Sequence, residues 1–193
     1  MPETTTPNGS RGSAQRLRAL AHPLRWKLLD VLDAEGEATA TRCSQLLGES
    51  VASCAYHLGI LGKYGYLERV PDVAGRERPW REATQHQDLS AADDADTEEQ
   101  LASEAAAEAF LEHEFDQMVG RMRRRSSEPA EWAAASCAGG STMWVTAEEL
   151  TAIKDELLAV LRRHEERSTD PALRPSGARH ARVFVSTSVR PGA

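Results

Sequence analysis

The segment from Ala40 to Arg81 leaves this chain few folds to choose from. Ser50 can cap a helix whose apolar residues Cys54, Leu58 and Leu61 fall at i, i+4 and i+7, so one face of the helix from Val51 to Lys63 is core. The opposite stripe holds Ala52, Tyr56, Gly59 and Lys63, flanked by Ser53 and Ala55: small or hydrogen-bonding groups with one cation near the far end. A shorter helix, Ala40 to Leu47, precedes it across the turn Gly48-Glu49-Ser50. Gly65 suits the turn after the longer helix, and Tyr66 to Val70 and Pro79 to Thr84 have strand character. Between those strands the turn cluster Pro71-Asp72-Val73-Ala74-Gly75 presents Arg76 and Arg78. This order predicts a helix face that can lie against base edges in a major groove, with two guanidinium groups near a minor groove or phosphates. The competing reading is a helical hairpin with an ordinary solvated face.

Several separated words also keep their mutual spacing. Ala19-Leu20-Ala21-His22-Pro23-Leu24-Arg25, then Leu28-Leu29-Asp30-Val31-Leu32, then Ser50 with His57-Leu58 and Leu61, then Gly65-Tyr66-Leu67 resemble the ArsR type of winged helix-turn-helix transcriptional repressors. The match covers residues 15 to 84. It implies a homodimer on a dyad operator of double-stranded DNA, each recognition helix in a major groove and each wing on the backbone or minor groove. Ser50, Ser53 and Tyr56 would bear on bases, and Lys63, Arg76 and Arg78 on phosphates or the minor groove. Val51, Ala52, Ala55 and His57 complete the expected DNA-facing set, and Arg25, Lys27 and Gln45 are candidate phosphate contacts. One departure is informative. Metal-sensing members carry a Cys-x-Cys pair at the start of the helix before the recognition helix, where this chain has Thr39 and Thr41. Hydroxyls cannot replace soft thiolates as ligands, so neither that metal site nor a cofactor is expected.

The net charge of -7 looks wrong for a DNA binder until it is divided. Residues 1 to 81 hold 11 Lys and Arg against 9 Asp and Glu, a balance of +2, whereas residues 82 to 193 hold 12 against 21, a balance of -9. So modest a positive footprint predicts affinity that rests on a dimer and on locally placed arginines, with marked salt dependence. No apolar run approaches the roughly 18 residues of a membrane span, and the first residues lack a signal peptide's hydrophobic stretch, so a cytoplasmic protein is expected. Three cysteines make no disulfide framework; Cys43 and Cys54 sit where the resemblance puts apolar core residues, which implies buried thiols.

Taken in order, residues 1–12 read as a disordered arm and 13–87 as a DNA-binding domain, with a first helix from Ser13 to about Ala21 and a second opened by Pro23 and ended by Gly36. Trp80 is large enough to lock the hairpin against the body. Residues 88–125 read as a linker and a long helix, on which Leu111, Phe115, Met118 and Met122 are expected to form a dimerisation seam, the alternative being a helix packed within its own subunit. His113 with Glu112 and Asp116 on that helix, and His86 with Asp88 before it, are donor sets too small to predict a metal. Residues 126–141 read as a flexible connector. In 142–193, Met143-Trp144-Val145 and Ala181 to Val189 read as strands around a helix that Thr146 and Glu149 open with a capping box, its apolar face formed by Leu150, Ile153, Leu157, Val160 and Leu161. This unit resembles the carboxy-terminal extension of some ArsR-like regulators. Trp132, Trp144, Leu157 and Phe184 read as core positions of this unit, with the lining of a small-molecule cavity as the minority alternative.

The fold expected is therefore mainly α with a small β wing, an α+β winged helix-turn-helix followed by a helical dimerisation region and a strand-helix-strand unit. The function expected is a sequence-specific DNA-binding transcriptional regulator, a homodimeric repressor with room for a small-molecule effector. The alternative is a winged-helix interaction module, or a small-molecule-responsive regulator, whose main contact is a protein partner. An enzyme is not expected, because the chain offers no Gly-rich phosphate loop, nucleophile elbow or ordered zinc ligand set.

Overall fold

In a computed structural model, which describes residues 10–71, 77–83, 89 and 95–189, the chain is mainly helical with one small two-stranded antiparallel sheet. Helices α1 (Ser10–Arg18), α2 (Pro23–Glu35), α3 (Ala40–Leu47) and α4 (Val51–Lys63) come first, then strands β1 (Leu67–Arg69) and β2 (Trp80–Glu82). The 28-residue α5 (Thr97–Arg124) follows, and α6 (Ala130–Ala135), α7 (Ala147–Arg162) and α8 (Glu166–Thr169) complete the order. No described helix is long and apolar enough to cross a membrane. Two compact units divide the chain after Arg124.

In the first unit α2, α3 and α4 each begin at a side chain that accepts an amide the helix backbone cannot satisfy. His22 Nδ1 accepts from the Leu24 amide at 3.2 Å, with Pro23 inside the first turn. Thr39 accepts from Arg42 at 3.2 Å and Ser50 from Ser53 at 3.1 Å. Gly36 and Gly48 end α2 and α3 at φ 78° and 72°, a region that a side chain would strain. The helices meet on Leu20, Leu28, Leu32, Cys43, Cys54, Leu58 and Leu61, all fully buried. Each such leucine is worth about 1.5–3 kcal/mol of transfer free energy. The sheet pairs Leu67 with Glu82, Glu68 with Arg81 and Arg69 with Trp80, and Arg81 bonds Glu68 across it at 2.6 Å.

Helix α5 belongs to this unit. Its alanines Ala102, Ala106 and Ala109 are buried as it packs along α1, and small side chains let helix axes approach closely. Ser13 Oγ donates to Glu99 at 2.6 Å, Arg18 pairs with Glu98 at 2.6 Å, and the Phe110 ring lies 4.8 Å from that of Trp26. His113 is buried with Nε2 2.7 Å from Asp30 Oδ2. The opposite face stays open, with Leu111, Phe115, Met118 and Met122 all exposed.

The second unit is looser. Its capping box is complete, Thr146 N donating to Glu149 at 2.7 Å and Glu149 N to Thr146 Oγ1 at 3.2 Å, yet none of its described residues is buried.

Four expectations need correction. The anticipated strands at 143–145 and 181–189 are not strands; the described backbone there pairs with nothing in a sheet, because β-prone residues without a ladder partner gain nothing from extension. Trp144 is fully exposed, Trp132 lies under Arg179 at 5.0 Å, and neither Leu157 nor Phe184 is buried, so these four residues are not core positions. The connector 126–141 contains α6, since Ala-Glu-Trp-Ala-Ala-Ala after Pro129 is strongly helix-forming. Helix α1 opens at Ser10, inside the anticipated arm, and ends at Arg18, short of Ala21. Residues 1–9 of that arm and most of the anticipated linker lie outside the described residues.

Candidate nucleic-acid interface

Helix α4 is two-sided. Cys54, Leu58 and Leu61 have no exposed surface, whereas Val51, Ala52, Ala55, Tyr56, Gly59 and Lys63 are all exposed, Tyr56 at 63% and Val51 at 44%. Ser53 is half-buried, and Ser50 is exposed while its hydroxyl caps the helix. The turn before the helix is tied down as well, Ser44 Oγ donating to the Glu49 carbonyl at 2.6 Å. A rigid, largely uncharged surface results, with Lys63 the only lysine or arginine along α4.

The hairpin is bolted beside this surface by Trp80, whose ring is 9% exposed. Its amide donates to the Ala38 carbonyl at 2.8 Å and its carbonyl accepts from Ala38 N at 3.0 Å. The ring packs so closely on Gly62 that a Cβ there would come within 2.4 Å of Cζ3. The Arg69 guanidinium sits 3.8 Å from the Trp80 ring centroid and donates to the Arg78 carbonyl. Arg78 is exposed, and its guanidinium donates to the Val70 carbonyl at 3.2 Å. Arg76, the hairpin tip at 72–75 and the pair His86 and Asp88 lie outside the described residues.

Glu77 adds a second anchor. Its carboxylate accepts from the Thr41 amide at 2.9 Å and from the Thr41 hydroxyl at 2.8 Å, and these bonds hold its pKa below the ordinary carboxylate value. Thr39 and Thr41, the positions where a metal sensor would carry thiolates, are thus occupied in capping α3 and fastening the hairpin to it. No cluster of three or more His, Cys, Asp or Glu suited to a metal occurs among the described residues.

Two expected contact residues are placed differently. His57 is 9% exposed, because at i+3 from Cys54 it falls on the buried side of α4. Its Nδ1 accepts from Arg25 Nε at 3.3 Å, and its ring lies 4.3 Å from that of His22 and edge-on to Tyr56 at 5.1 Å. Burial, then His22 and Arg25, hold its pKa below the usual imidazole value. Arg25 also donates to the carbonyls of Arg18 at 3.2 Å and Ala19 at 2.8 Å, so its guanidinium clamps the end of α1 to α4 instead of standing free. Lys27 and Gln45 remain exposed. Burial pushes the Cys43 thiol up to about 11, and Cys54 also rises through burial, which leaves both as inert core groups.

Sequence reasoning overlooked Glu77, Arg69 and the Arg25–His57 bond. Their partners lie far along the chain or across a hairpin, beyond the reach of local periodicity; only the placement of His57 was readable from its spacing to Cys54 and Leu61. Among known proteins, no protein-family model and no curated protein matches this chain.

Proposed function

We propose that this chain is a sequence-specific DNA-binding transcriptional repressor of the ArsR-like winged-helix type, acting as a homodimer on a dyad operator. One observation carries the reading: the exposed face of a capped, core-anchored helix stands beside a hairpin that Trp80 and Glu77 hold at fixed places on the same body. Helix α4 is then the recognition helix, with Lys63, Lys27 and Arg78 reaching phosphates. The apolar stripe Leu111, Phe115, Met118 and Met122 on the open side of α5 supports pairing of two copies, which would bring two recognition helices to half-sites about 34 Å apart. This reading involves no catalytic step and no cofactor.

The test is selection from a random duplex pool by the purified full chain, followed by gel shift. A dyad consensus with affinity that falls as salt rises is the expected result. Failure to enrich any sequence at low salt would overturn the proposal. The second unit, with its exposed apolar groups and no buried described residue, favours a second reading in which α7 docks a protein partner. A chain that enriches no duplex yet forms a defined complex through α7 would select that alternative.

A further inference from the structure

Resting on the DNA-binding reading above, we infer that α4 selects thymine, through van der Waals contact of Val51, Ala52, Ala55 and Tyr56 with thymine C5 methyl groups. This face lacks the usual groups that read purines. Guanine is identified in a major groove by a bidentate arginine or lysine, and adenine by a bidentate asparagine or glutamine. From Val51 to Gly59 the exposed side chains carry no guanidinium, amine, amide or carboxylate. His57 is 9% exposed and its Nδ1 already accepts from Arg25. Lys63 stands twelve residues beyond Val51, about 18 Å along the axis; a helix docked in this way meets base edges with its amino-terminal residues, so Lys63 meets the backbone.

The groove floor offers one apolar feature, the thymine methyl. Methyl-bearing side chains gain by covering it. Val51, Ala52 and Ala55 set against guanine O6 and N7 would take water from two acceptors and return no donor, which penalises guanine at those positions; the Tyr56 hydroxyl is the one donor among the four side chains. Geometry adds to the preference. The Ser50 cap and the Tyr56–His57 edge contact fix the apolar groups before binding, so little side-chain freedom is lost. Gly59 faces outward with nothing near its Cβ position, which lets the helix approach the duplex without a side chain standing between.

The experiment uses the full chain and the duplex it selects, with uracil replacing thymine one position at a time; only the methyl is lost. Affinity should fall about fourfold for each contacted methyl and about fifteenfold when both half-sites are changed. Val51→Ala, a change at an exposed position, should shrink the uracil penalty at one thymine and leave the others intact. A selected site at which no uracil lowers affinity even twofold would overturn the inference. So would an invariant guanine under α4 whose 7-deaza analogue weakens binding while uracil does not. A chain that selects no duplex defeats the DNA-binding reading itself, whereas one that selects a duplex and ignores its methyls defeats only the thymine assignment.

Discussion

Gly59→Ala and Gly62→Ala add the same methyl group to the same helix, yet only the first should stabilise the fold. At Gly59 the new carbon meets nothing within 4 Å, so the whole effect is the helix-propensity gain of about 0.8–1 kcal/mol. At Gly62 it would lie 2.4 Å from Cζ3 and 2.6 Å from Cη2 of Trp80, where carbon atoms rest comfortably at about 3.5–4.0 Å. The ring cannot step aside cheaply. The Trp80 backbone pairs with Ala38 in both directions, and the Arg69 guanidinium is stacked 3.8 Å from the ring centroid. Overpacking of this kind costs about 1–3 kcal/mol, against about 1 kcal/mol of helix gain, so Gly62→Ala should be neutral to about 2 kcal/mol destabilising. The two variants should therefore differ by about 1–3 kcal/mol in urea unfolding followed by circular dichroism and tryptophan fluorescence. Equal stabilisation by both would show that Trp80 does not dock on α4, and with it would go the fixed hairpin on which the site depends.

Three further outcomes follow from the same contacts. Burial, His22 and Arg25 disfavour the His57 imidazolium, so the unfolded chain takes up that proton first; stability should be whole above about pH 6.5, the ordinary histidine value, and fall below it. Unfolding free energy measured from pH 7.5 to 5 should lose that part of its slope in His57→Gln, and an unchanged slope would remove His57 as the cause. Glu77 titrates below the ordinary carboxylate value of 4.5, so its contribution is present above that pH and is lost as pH falls through the lowered value. Glu77→Gln should unfold more easily at pH 7 and show a shallower acid limb in the same assay. Phe115→Glu, at a position 61% exposed, should leave helix content unchanged and convert the proposed dimer to a monomer in sedimentation velocity; an unchanged dimer mass would exclude the α5 seam.

What could be read in advance was whatever local chemistry decides. Ser50 after Gly48, and Thr146 three residues before Glu149, place helix starts because a cap satisfies amides within one turn. The long helix is legible from Thr97 because helix formers dominate up to a basic end. The same rules misplaced residues whose surroundings are distant. Arg25 looks like a free cation until α4 folds over it, 32 residues away, and supplies the His57 acceptor. Glu77 looks like one more wing charge until Thr41 meets it from 36 residues away. Val183-Phe184-Val185 has strand composition, but strand identity is decided by a neighbouring ladder that the described residues do not provide.

The proposed function places duplex DNA against the outward face of α4. Ala52 is exposed on that face, so Ala52→Glu should leave the melting curve unchanged while setting a carboxylate against base edges and phosphates. Gel-shift titration of the selected duplex should show salt-sensitive binding by the parent chain and a loss of about a hundredfold or more in the variant. Equal affinity in a variant of unchanged stability would contradict the account.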